Sequence, residues 1–145
     1  MSKLFLVMLF LLFLTSGCVG WTSAPSVETN CSLEQTWSVA LASLQEFELR
    51  SIDQKTRVIE TEWIKVQTSR LSGLMNRNLN EERARFVLTI QPENTGQSTV
   101  TVKQIREFWS PQGVQSRSWR QIPANEDQER QLAARIQAKL KRAPC

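Results

Sequence analysis

The residues in this 145-residue chain with the most reactive side chains are its three cysteines, Cys18, Cys31 and Cys145. A thiolate can be acylated, can ligate a metal, or can be oxidised to a disulfide. The next candidates are carboxylates. Glu60 and Glu62 alternate along one segment and so share a strand face, whereas Glu81 and Glu82 are adjacent and point apart. Acid–base work by such a pair needs a nucleophile, a bound metal or a third orienting group, and none accompanies either pair. Histidine and tyrosine are both absent. That removes histidine triads, imidazole proton shuttles and nearly all common zinc sites. The five glycines are dispersed, so no loop cradles a phosphate. The reading is non-enzymatic: catalytic residues none, metal none, cofactors none.

Cys18 stands out by its surroundings. Lys3 precedes an unbroken apolar run from Leu4 to Leu14, and Thr15, Ser16 and Gly17 lead into the cysteine. Eleven apolar residues are too few to span a hydrocarbon core, which takes about 20 in a helix. They do fit the apolar centre of a secretory signal followed by a small-residue cleavage site. The segment resembles the signal peptide of bacterial lipoproteins, with Thr15 where that group usually has Leu or Val. The resemblance implies cleavage before Cys18 and a lipid on it, so the partner nearest the chain is a membrane. Val19, in place of the Asp that marks inner-membrane retention, implies the periplasmic face of the outer membrane.

Three regions follow: a signal peptide over 1–17, a flexible tether over 18–30 rich in small and polar residues, and a domain over 31–145. Removal of the signal leaves 128 residues, enough for one domain with a real core. Loss of Lys3 takes the formal charge from +4 to +3. The charge is scattered, and a nucleic-acid partner would call for a clustered basic stripe.

The domain opens with a helix. Ser32 and Gln35 form a capping box, and Leu33, Trp37, Ala40, Leu41, Leu44 and Phe47 recur at spacings of three and four. From Glu48 the period changes to that of strands. Glu48 to Ile52 is followed by a polar turn, and then by Arg57 to Val66, where Ile59, Thr61 and Trp63 share a face. A third strand runs from Arg85 to Gln91, and a fourth from Ser98 to Trp109. Val114 to Trp119 fits either a short fifth strand or an extended crossover. A final helix follows Pro123, with a capping box over Asn125 to Gln128, acidic residues in its first turn and basic residues in its last. Leu132, Ile136 and Leu140 mark its apolar stripe. The fold class is α+β: a two-layer sandwich, an antiparallel sheet of four or five strands with both helices on one face. With four strands Cys31 and Cys145 come to the same end of the domain, within reach of a disulfide. Five would place them at opposite ends.

The run Trp37-x-x-Ala40-Leu41-x-x-Leu44, then Ile52-Asp53, then Val58 to Trp63, resembles the helix-grip domain of BamC-like outer-membrane lipoproteins over roughly residues 31–141. That family typically has a Gly just before the strand matching Val58 to Trp63, where this chain has Arg57. The resemblance implies an accessory, non-catalytic member of an envelope complex.

Gln67 to Ala84 is long for a connection between strands. Within it Leu71, Leu74, Met75 and Leu79 fall at helical spacing, flanked by Arg70, Arg77 and Arg83. The segment reads as a cap on the core, as a docking surface for other outer-membrane or periplasmic subunits with Trp109 and Trp119 as aromatic anchors, or as a contact with lipid. The function expected is an interaction or scaffold component of such a complex: a barrel-assembly accessory, or part of a secretion or motility apparatus. The alternative is a small-molecule or lipid carrier with a cavity between helices and sheet.

Overall fold

The computed structural model describes residues 23–67, 81–93, 96–109 and 118–145. The domain is α+β: a seven-stranded antiparallel sheet with two helices packed on one face. The strands are β1 (Ser26–Thr29), β2 (Leu49–Asp53), β3 (Val58–Thr61), β4 (Ile64–Val66), β5 (Glu81–Pro92), β6 (Ser98–Trp109) and β7 (Arg120–Ile122). The helices are α1 (Leu33–Ser43) and α2 (Glu126–Leu140). The sheet order is β1-β6-β5-β3-β2, with β4 also on β5 and β7 also on β6.

The strand count exceeds four or five for three local reasons. Ser26–Thr29, expected as tether, forms β1 by pairing along the first residues of β6. Its period-two pattern is only four residues long, too short to register without its partner. The segment Arg57 to Val66 is divided into β3 and β4 by a bulge. Glu60 faces Val87 and Ile64 faces Ala84, so four steps on one strand oppose three on the other. The extra residue reverses the alternation. Trp63 therefore leaves the face of Ile59 and Thr61, contrary to the sequence expectation, and joins that of Lys65. Thr61 closes the gap, its Oγ1 accepting from the Phe86 N–H at 3.0 Å. Thirdly, β7 begins just after Trp119. Most of the 114–119 region lies outside the described residues.

The core is one cluster. Alternate residues Phe86, Leu88 and Ile90 of β5 and Val100 and Val102 of β6 meet Ala40 and Leu44 of the first helical segment and Leu132, Ile136 and Leu140 of α2. The first helix is rotated from the expected stripe. Thr36, Ala40 and Ser43 face inward and are buried, while Trp37 and Leu41 are half-buried at the flank. Small residues let the helix approach the sheet. Thr36 Oγ1 lies 3.2 Å from Ser98 Oγ, and Ser98 in turn donates to the Cys31 carbonyl at 2.9 Å. A buried hydroxyl pair is tolerated there because each oxygen has a partner.

Both helix starts are capped as their sequences predict. Ser32 and Gln35 form the reciprocal capping box. Asn125 accepts from the N–H groups of Asp127 and Gln128. The second half of that box is replaced by Gln104 of β6. Its Oε1 takes the Asn125 N–H at 2.9 Å, and its Nε2 donates to Gln128 at 2.5 Å. Cys31 and Cys145 form a disulfide, Cα atoms 4.7 Å apart, tying the start of α1 to the end of the chain.

The β2–β3 hairpin turns through Asp53, whose Oδ1 accepts from Lys55 N at 2.9 Å and Thr56 N at 3.1 Å. The Thr56 hydroxyl and these N–H groups hold the Asp53 carboxyl below its ordinary pKa. Arg57 completes the turn with φ of 59°, a left-handed conformation that glycine adopts without penalty.

Candidate interaction site

The helices cover one face of the sheet and leave the other to polar and aromatic side chains. In β5, Arg83 and Arg85 alternate with Ala84 and Phe86, so they project from the uncovered face. The register places Arg83 opposite Glu107 and Arg85 opposite Ile105. The β3–β4 bulge brings Trp63 onto the same face, and the approach to β7 brings Trp119.

These residues form a layer. The Arg83 guanidinium carbon lies 4.3 Å from the Trp63 ring centre and 4.0 Å from that of Trp119, so the cation is held between two aromatic faces. Its Nε and Nη2 both donate to Glu107 Oε2, at 2.8 and 2.6 Å. Arg85 lies 4.8 Å from the Trp63 ring and donates to Glu60 at 3.2 Å. Arg85 Nε is buried and has no hydrogen-bond partner among the described residues. The arginines and glutamates are about three-quarters buried or more, so these charge pairs are screened less than fully exposed ones.

Of the residues nominated from sequence, Trp119 belongs to this layer. Trp109 lies at its margin, half-buried opposite Glu81 on the same face. Cys18, Arg70, Leu71, Leu74, Met75, Arg77 and Leu79 lie outside the described residues. Arg83, named from sequence only as a flank of the 67–84 connection, is at the centre of the layer, and its grouping with Trp63, Arg85, Glu60 and Glu107 was missed. Strand alternation from Arg85 already sets Arg85 away from the core; the strand starts earlier than expected, at Glu81, and this carries Arg83 onto the same face. What was not visible was the bulge that sends Trp63 to join them.

The carboxylate pairs are dispersed. Glu60 is tied to Arg85, and Glu62 is exposed with its N–H bonded to the Glu48 carbonyl. Glu82 is buried against Arg106, at 2.6 Å, while Glu81 is exposed. Among the described residues no group of three or more Cys, Asp or Glu is placed to hold a metal, and no helix is long and apolar enough to cross a membrane.

On the helix side a cleft of about 400 Å³ opens between the end of the first helical segment, α2 and the sheet. Phe47, Ile64, Phe86 and Leu132 form its apolar wall, and Gln104 and Gln128 contribute polar groups.

No family model matches the chain, and no curated protein matches it.

Proposed function

We propose that the chain is a non-catalytic lipoprotein, carried on the periplasmic face of the outer membrane by acyl groups on Cys18, that acts as an interaction or scaffold component of an outer-membrane complex. The BamC-like resemblance fits an accessory role of this kind. The observation that carries the reading is the Trp63–Arg83–Trp119 stack on a sheet face that neither helix covers. Tryptophan and arginine are enriched among the few residues that dominate binding energy at protein interfaces, and here their rotamers are already held by ion pairs and stacking. Ordering them on binding therefore costs little entropy. The tether supports the same reading. With Ser26 already in the sheet, seven residues lie between it and Cys18, and the eight chain steps reach about 27 Å at full extension. A domain held so close to the bilayer is suited to partners at the membrane surface.

The test has two arms. Palmitate labelling of the full chain is expected to disappear in Cys18→Ser. Cross-linking in intact envelopes is expected to recover a partner with the wild type and to lose it in Trp119→Ala, at unchanged thermal stability. Full retention of the partner by a folded Trp119→Ala variant would remove the stack from the interface.

The cleft beside Phe86 favours a second reading, a carrier of a small apolar ligand, because its volume lies in the range of known ligand pockets. Native mass spectrometry of protein purified without detergent distinguishes the two: a retained ligand mass favours the carrier.

A further inference from the structure

Among the described residues β2 forms one of the two edges of the sheet, opposite the β1 edge, and all five of its residues are exposed. Among the described residues three large apolar side chains are exposed, and two are on this strand: Leu49 at 36% and Ile52 at 50%. The register shift between Leu49 and Ser51 puts both on the core side of the sheet, opposite Thr61 and Ile59. They overhang beyond the area that the helices cover.

The direction of the main-chain groups follows from the ladder. Ile90 donates to the Arg57 carbonyl at 3.0 Å, so Arg57 turns toward β5. By strand alternation Ile59 turns the same way, while Val58 and Glu60 turn toward β2. Ser51 and Asp53, opposite Glu60 and Val58, therefore bond to β3. Ile52, opposite Ile59, carries its N–H and C=O on the open edge. An unpaired edge of this kind is a template for another strand.

We infer that this edge pairs antiparallel with the β2 edge of a second copy of the chain, about a two-fold axis at Ile52. The strand is self-complementary in that register. Ile52 exchanges both main-chain bonds with the partner's Ile52, and the two side chains make an apolar cross-strand pair on the core side. Ser51 falls opposite the partner's Asp53, both on the outer side, so no like charges face each other. The axis stands perpendicular to the sheet. Both copies then present their Trp63–Arg83–Trp119 layers in the same direction, which doubles the proposed docking surface.

One short strand buries well under the ~1,000 Å² that a stable soluble dimer needs. The pair is therefore weak in dilute solution, and it forms where anchoring confines copies to a surface and raises their effective concentration. For that concentration alone the inference rests on the anchored reading above.

The experiment places full-length protein on phosphatidylethanolamine–phosphatidylglycerol vesicles and compares cysteine variants with a short bis-maleimide. Ile52→Cys is expected to give about tenfold more dimer than Ser38→Cys, an exposed control on α1. Ile52→Pro removes the outward N–H and leaves the β2–β3 bonds in place. In the Ser38→Cys background with a fluorescent donor and acceptor, it is expected to lower energy transfer between copies to the level of random proximity, with an unchanged circular dichroism spectrum. Ile52→Lys, which sets two like charges at the axis, is expected to do the same. If Cys18 proves to carry no lipid, a histidine-tagged chain on nickel-chelating vesicles repeats the measurement, so failure of the anchor is separable from failure of the edge. Equal cross-linking at Ile52 and Ser38, or energy transfer that survives Ile52→Pro, overturns the inference. Cross-linking of Ile52→Cys in envelopes to a different polypeptide alone overturns it in favour of a foreign strand.

Discussion

The β5–β6 hairpin has two faces made from alternate residues of the same two strands, and different forces hold them. On the covered face Phe86, Leu88, Ile90, Val100 and Val102 are buried against both helices, held by apolar burial that depends little on direction. On the open face Arg83, Arg85, Glu107 and the two tryptophans are held by stacking and ion pairs that depend on angle and distance. Burial strengthens the attraction in these pairs but also costs the desolvation of both charges, so the net contribution of each stays at about 1 kcal/mol. The covered face thus secures the fold, and the open face spends large side chains on a fixed surface with little return in stability. That asymmetry is consistent with the interaction surface proposed above.

The largest expected effect sharpens the covered side. The Cys31–Cys145 bridge spans 114 residues, and Cys31 sits within the core cluster. Its reduction is expected to cost about 4–5 kcal/mol in the chain-entropy view, read as a lower urea midpoint under reducing conditions. A loss below about 1 kcal/mol would show that the helix–sheet core holds that corner without it.

The next prediction sets the faces directly against each other. Leu88→Ala removes a fully buried side chain and is expected to cost about 2–5 kcal/mol. Arg83→Ala, on the same strand, is expected to cost about 1 kcal/mol, while altering tryptophan fluorescence through loss of the stacked cation. Equal losses from urea unfolding would break the comparison, because the open face would then be as structural as the core.

The smallest effect lies in the hairpin leading to β3. Arg57 is strained at φ 59°, in the left-handed region that glycine adopts without penalty. Arg57→Gly is expected to raise stability by about 1 kcal/mol, measured as a shift in melting temperature. A loss would mean that the Arg57 side chain makes a contact worth more than the strain.

Much of the covered face was legible in the chain. Phe86, Leu88 and Ile90 alternate without interruption, and Ser32 and Asn125 mark helix starts through short-range capping geometry. The open face was legible only in halves. Arg85 is placed outward by strand alternation, but Arg83 falls before the expected strand, and Trp63 is put on the face of Ile59 and Thr61 because alternation is carried through the bulge. β1 was read as tether because four residues of polar–apolar alternation carry no signal until β6 supplies the pairing edge. The edge at β2 was invisible for a related reason: whether a strand is central or terminal depends on what lies beside it.

By itself the sequence determined the α+β class, the two capped helices, the inward stripes of β5 and β6, and the absence of histidine chemistry. These follow from periodicity and composition, which act over a few residues. The tertiary structure alone decided that Trp63 and Trp119 enclose Arg83, that Thr36 rather than Trp37 faces the sheet, and that Ile52 turns its main-chain groups to an open edge. Each of these depends on register between segments far apart in the chain. One inserted residue in a ladder reverses every side chain beyond it, and no local pattern records where that insertion falls.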